Sequence, residues 1–301
     1  MIYRDFQGQK LSALGFGTMR LPVLGGDYGK IDEKAAAEMF DYAIAHGVNY
    51  FDTAWGYHDG ESERAAGNIL SAYPRDKYFL ATKFPGCDLA NMDKVEEIFE
   101  AQLKKCRTDH FDFYLLHNVC EKNIDEYLDE RHGIFAYLKK QKESGRIRHL
   151  GFSAHGSYGV ILRFLEKYGE AMEFCQLQVN YLDWSFQNAK EKVELIKSRG
   201  IPVWVMEPLR GGSLLRLPKA MRPDEPVPAW AFRFLLGIPE VKVILSGMSD
   251  FGQVKANIAT FEEEKPLDDG ERGALLAMAE GMYKKTALPC TAFRYCTSHC
   301  P

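Results

Sequence analysis

Residues 48–57 read Val-Asn-Tyr-Phe-Asp-Thr-Ala-Trp-Gly-Tyr. The run Val48 to Phe51 has the β-branched and aromatic character of a strand, and a carboxylate, Asp52, closes it. The same pattern returns down the chain: Tyr78 to Thr82 is followed by Lys83, Phe111 to Leu116 by His117, and His149 to Phe152 by Ser153. Phe174 to Val179 carries Gln176, Val203 to Met206 ends on Met206, and Val241 to Leu245 is followed by Ser246. From Asp52 onward these markers are 31, 34, 36, 23, 30 and 40 residues apart. Between them lie stretches of helical period, 33–46, 61–73, 94–107, 133–144, 160–168, 188–198 and 254–261.

Strand and helix in alternation, with units of this length, predict a parallel sheet. With a first strand near Leu14 to Phe16, after an opening that reads as a short hairpin, the βα units number eight. The predicted fold is therefore α/β, an eight-stranded parallel (β/α)8 TIM barrel over residues 1–285 with a cysteine-containing tail over 286–301. A doubly wound sheet is the competitor, but its G-x-G-x-x-G fingerprint is absent, and Gly15, Gly17, Gly25 and Gly26 lack that spacing.

Composition narrows the function. The chain has 301 residues, 46% of them hydrophobic, and a formal charge of −4, so no basic field draws it to nucleic acid or anionic membrane. The start, MIYRDFQGQK, has no apolar signal run, and no stretch is long enough to span a bilayer, which predicts a cytoplasmic enzyme of small molecules.

In a barrel the strand ends converge on one mouth, which brings Asp52, Tyr57, Lys83 and His117 into reach of one another. Read singly, Lys83 is a snorkelling surface cation, Asp52 a turn or cap residue, and Tyr57 an ordinary loop aromatic. Together they make a proton-donating site. A neighbouring ammonium favours the phenolate of a tyrosine, a carboxylate keeps a buried lysine charged, and a histidine orients a carbonyl oxygen. His58, His155 and Trp55 lie on the same mouth loops. His46, His110, His132 and His149 read most simply as surface or helix-end residues.

The strings Phe51-Asp52-Thr53-Ala54 with Tyr57, Ala81-Thr82-Lys83, and Asp112-Phe113-Tyr114-Leu115-Leu116-His117 resemble the aldo-keto reductase superfamily, in order and spacing. The resemblance covers nearly the whole chain. It implies reduction of an aldehyde or ketone, or the reverse, with Tyr57 as general acid/base assisted by Asp52, Lys83 and His117. It also implies NADPH or NADH bound at the barrel mouth, with the choice between NADP and NAD open. Ser153 and Gln176 match the residues that contact the nicotinamide carboxamide. Met206 stands where relatives stack an aromatic on the ring, and Ala154 stands where many have Asn. Pro208, Leu209, Arg210 and Gly211 resemble a pyrophosphate loop. Ser246, Gly247, Met248, Ser249, Gln253 and Asn257 occupy the adenosine end, with Gly247 and Gln253 at positions where NADPH-specific relatives place cations. A second reading is a cofactor-binding, redox-sensing regulatory module with little turnover, as in the similar β subunits of potassium channels. A metal-dependent barrel hydrolase is disfavoured, because no His-x-His pair ends an early strand.

The tail carries Cys290, Cys296 and Cys300 and ends Cys-Pro. It resembles the ferredoxin run C-x2-C-x2-C-x3-C-P of a 4Fe-4S module that one branch of the superfamily carries, with Phe293 at the second ligand position. The readings left open are an iron–sulfur cluster with an outside fourth ligand and an electron-transfer partner, zinc held with His299, or a remnant with free thiols.

Overall fold

The computed structural model describes residues 1–216 and 226–284. Tyr3–Phe6 (β1) and Gln9–Ser12 (β2) pair as an antiparallel hairpin. Eight parallel strands then close a barrel: Leu14–Gly17 (β3), Tyr50–Asp52 (β4), Phe79–Phe84 (β5), Phe111–Val119 (β6), Ile147–Ala154 (β7), Cys175–Gln178 (β8), Val203–Met206 (β9) and Val241–Gly247 (β10). They pair in chain order, and β10 returns to β3.

Alternation along the strands produces two cores. Tyr50, Ala81, Phe113, Leu115, Phe174, Trp204, Val243 and Leu245 fill the barrel, and Phe6 and Leu11 of the hairpin plug its N-terminal end. The outward residues pack against the helix ring in a second, larger core. His149, expected at the surface, is instead 6% exposed inside the plugged end. Its ring lies against Phe6 and Phe113, and its Nδ1 is 3.1 Å from a Glu173 oxygen.

The expected helices are present with shifts of a few residues, for example Glu33–Ala45, Ser62–Leu70, Val95–Lys105 and Ala189–Ser198. Two long helices are additions to the sequence reading, Val227–Leu236 and Asp269–Tyr283. The first carries an almost unbroken apolar run, buried from Ala229 to Leu236, so it has no polar stripe to reveal a helical period. The tail over 286–301, with Cys290, Cys296 and Cys300, lies outside the described residues. Among those described, no helix is long and apolar enough to cross a membrane, and no cluster of three His, Cys, Asp or Glu side chains is arranged to hold a metal ion.

Close approach fixes one helix near the mouth. A Cβ on Gly67, in helix Ser62–Leu70, would lie 2.5 Å from the Lys105 carbonyl oxygen and 2.7 Å from Cys106 backbone atoms. Backbone cannot yield as a side-chain tip does. Gly67→Ala is therefore expected to destabilise by about 1–3 kcal/mol despite Ala's better helix propensity, worth about 1 kcal/mol. Gly159→Ala, in helix Tyr158–Tyr168 with open space around it, is expected to stabilise slightly. Urea midpoints of the two variants check both signs.

Candidate active site

Lys83 and Asp52 meet inside the mouth. Asp52 ends β4 opposite Ala81 of β5, and Lys83 lies two residues beyond Ala81 on the same inward face. The Lys83 Nζ donates to Asp52 Oδ1 at 2.7 Å and to the Thr53 carbonyl at 2.7 Å, with the lysine fully buried and Asp52 3% exposed. Burial pushes the Asp52 carboxyl up and the Lys83 ammonium down, and each partner opposes the other's shift. Tyr57 opens the turn Tyr57–Gly60, with its hydroxyl 3.5 Å from Nζ and its ring centroid 4.9 Å from Nζ.

His117 comes from β6, where the register against β7 shifts between Leu116 and Val119 and Asn118 takes a φ of 59°. Such a bulge re-aims a strand-end side chain. The His117 ring stands edge-on to Tyr57 at 6.2 Å between centroids, and Tyr127 Oη donates to its backbone carbonyl at 2.7 Å. Burial, then the charge of Lys83, then His155 hold His117 well below the usual imidazole range. At neutral pH it is an uncharged ring with one N–H to donate.

Behind this group stands a network that sequence reasoning missed. Glu63 is fully buried and accepts from Thr82 Oγ1 and Gln102 Nε2, both at 2.7 Å. Gln102 Nε2 also donates to the Lys83 carbonyl at 2.9 Å, and Tyr114 Oη donates to Gln102 Oε1 at 2.6 Å. Ser62 shares hydrogen bonds with Thr18 and Thr53, and Thr18 Oγ1 donates to the Asp52 carbonyl. Ser62 and Glu63 thus tie one helix start to the strand ends that carry Asp52 and Lys83. Nothing in their spacing announces it, because the contacts span 9 to 44 residues with no common interval.

Beside the group lies a cavity of about 400 Å³, in the range of small-molecule sites. Asp52, Tyr57, Gln176, Met206, Pro208, Leu209, Gly211, Ser246, Gly247, Ser249, Gln253 and Asn257 all line it. These residues belong to β8, β9, β10 and β4, to the loops that follow, and to helix Phe251–Thr260, and Gly17 of β3 joins them. Lys83, His117, Ser153, Arg210 and Met248 do not. Lys83 is buried beneath, and His117 belongs to the opposite half of the barrel. Ser153 Oγ accepts from the Asn118 N–H at 2.8 Å. Arg210 Nε is 3.3 Å from Asp183, and Met248 is buried in the outer core. Gln253 is also engaged, accepting from the Ser249 N–H and donating to Asp250. Asn257 donates to Ser246 Oγ at 3.1 Å. Further residues that the sequence reading did not assign also line the cavity, among them Met19, Arg20 and Glu207. Met19 and Arg20 follow the first barrel strand, so the strand-end rule that marked Asp52 would have found them.

The cavity suits a ligand that carries an amide. Gln176 Oε1 is buried without a hydrogen-bond partner, and its Nε2 reaches only Met206 Sδ at 3.7 Å. Since β7 and β8 pair Ser153 with Gln176, the two side chains stand side by side at the mouth.

Residues 13–225 match the Aldo/keto reductase family, and the chain belongs to it. Over 291 residues it is 25% identical to L-galactose dehydrogenase of Arabidopsis thaliana, covering 86% of this chain and 87% of that protein. It is 24% identical to the NADH-specific methylglyoxal reductase of Escherichia coli, over 90% of this chain and 96% of that one. In structure it is similar to the holo form of aldo-keto reductase AKR11C1 from Bacillus halodurans, with a TM-score of 0.73, 27% identity, and coverage of 92% and 96%. The chain is an oxidoreductase that interconverts carbonyl and alcohol groups with NAD(P)H.

Removing one partner of a buried ion pair strands the other. Asp52→Ala is expected to cost about 3–5 kcal/mol, and the double variant Asp52→Ala/Lys83→Met a good deal less, as denaturant unfolding would report.

Proposed function

We propose that Tyr57 is the proton donor and acceptor of a carbonyl reductase whose dinucleotide lies in the cavity lined by β8, β9, β10, β3 and β4. The observation that carries this reading is the Tyr57 hydroxyl, which lies between the buried Lys83 ammonium and the cavity. The dinucleotide supplies the hydride. Gln176, next to Ser153, would take the carboxamide, for which its unpartnered oxygen is suited. Met206 would pack against the ring in place of an aromatic. Pro208 to Gly211 would hold the pyrophosphate, and Ser246 to Ser249, Gln253 and Asn257 the adenosine end. Met248 takes part through its backbone alone, since its side chain is in the core.

The protein's own work is electrostatic. As the carbonyl oxygen gains negative charge, Tyr57 delivers a proton to it, and Lys83 stabilises the phenolate left behind. Asp52 and the Thr53 carbonyl keep Lys83 charged and aimed. His117, being neutral, donates a hydrogen bond to the same oxygen and so orients the substrate. Lys83 and His117 lie outside the cavity, which leaves the β5 and β6 side of the mouth to the carbonyl compound. A redox-sensing module would use the same cavity with little turnover.

Tyr57→Phe is expected to lower kcat at least about 100-fold, the lower end of a general acid's contribution, with NADH affinity little changed. Loss of nicotinamide absorbance over a carbonyl panel reads the first, and fluorescence titration with NADH and NADPH reads the second and the cofactor choice. Equal turnover in both proteins removes Tyr57 from the role. Tight binding without turnover of any carbonyl by the wild type favours the sensing module.

For the tail, we infer a unit separate from the barrel of residues 1–285. The Cys290, Cys296 and Cys300 spacing supports descent from a four-thiol iron–sulfur run, with Phe293 as the lost ligand. The purified chain is expected to be colourless and to fold without iron. Stoichiometric iron and acid-labile sulfide would overturn that.

A further inference from the structure

Glu207 is a carboxylate in a cavity that the reading above assigns to a polyanion. It follows Met206 at the end of β9, has a φ of 56°, and lines the cavity. Its Oε2 accepts the Gly211 N–H at 2.6 Å, a charge-assisted bond. The Asn180 side chain pins its backbone carbonyl at 3.0 Å. Gly211 and Gly212 have φ of 62° and 87°, so this turn presents backbone N–H groups where side chains are absent. An anion of the protein's own thus already sits on an amide of the phosphate loop.

We propose that Glu207 is a cofactor-affinity residue that works against binding: its carboxylate competes with the dinucleotide's pyrophosphate for the Gly211 amide and takes up a proton when the cofactor enters. This rests on the dinucleotide reading of the cavity. The charged groups facing Glu207 are Arg20 from the segment after β3, Arg210 on its own loop, and Asp183 on Asp183–Phe186. Asp52 and Tyr57 share the cavity. Burial raises the Glu207 carboxyl from its ordinary value, and the Gly211 N–H and the two arginines oppose the rise. A bound pyrophosphate adds negative charge beside it and raises it further, so binding takes up protons. Affinity is then highest at low pH and falls as pH rises through the range where free Glu207 ionises. Such a residue speeds cofactor release, a step that limits many oxidoreductases.

The test is NADH titration by fluorescence from about pH 5, just above the ordinary carboxyl range, to about pH 8.5, for wild type and Glu207→Gln, with NADH chosen because a 2′-phosphate would itself titrate near pH 6. Wild-type Kd is expected to rise about tenfold across the range, while Glu207→Gln stays nearly flat and binds about tenfold tighter at the alkaline end, one pKa unit of coupling. Calorimetry of the wild type in two buffers of different ionisation enthalpy reads the proton uptake without any variant. Weaker binding by Glu207→Gln, an unchanged pH slope, or no proton uptake overturns the proposal. Failure of the wild type to bind NADH at any pH removes the cavity reading itself, a result distinct from these.

Discussion

A lysine ammonium with no exposure to water has to be matched by charge and by hydrogen bonds, and in this barrel Lys83 finds both on the neighbouring strand end. Asp52 supplies the charge and Thr53 a carbonyl, each at 2.7 Å. Much of the local structure follows from that requirement. β4 and β5 must be adjacent and in one register, and Thr53 must turn its carbonyl inward. The helix that begins at Ser62 must also pack hard enough to hold both strand ends. Ser62 and Glu63 do the holding, and Gly67 permits the approach. The pair is weak evidence for stability, because burying two charges costs about as much as their attraction returns. Its proposed use lies at the surface it underlies, where the Tyr57 hydroxyl is 3.5 Å from the Lys83 Nζ.

The mouth is divided by the barrel itself. Five of the eight strand ends, β8 through β10 and on to β3 and β4, line one cavity. The remaining three contribute Lys83 from below and His117 from the side. Tyr57 belongs to both, since it lines the cavity and touches the lysine. That arrangement suits the two-substrate reaction proposed above, with one partner in the cavity and the other meeting it at a single polar atom.

Much of this was legible in the sequence, for a definite reason. A barrel strand is apolar on both faces until it emerges at the mouth, so one polar residue after an apolar run marks the emergence. Asp52, Lys83, His117 and Ser153 are marked this way, whereas Gln176 lies within its strand and is marked by the family resemblance. Other readings failed where geometry intervenes. Met248, assigned to the adenosine end by the resemblance, turns its side chain into the outer core. His149 begins a predicted strand and faces the plugged interior, where Gln9 and Glu173 satisfy it. Glu63 and Gln102 lie on helices, and only the fold brings them behind Lys83. Helix Val227–Leu236 lacks a polar face, so no period betrayed it.

The central claim is that the buried Lys83 charge makes Tyr57 a competent acid. Ultraviolet difference titration of the phenolate, using Tyr57→Phe to isolate the Tyr57 signal, measures this directly in wild type and in Lys83→Met. The account predicts that the Tyr57 phenolate forms at clearly lower pH in the wild type than in Lys83→Met. Coincident midpoints in the two proteins would contradict it.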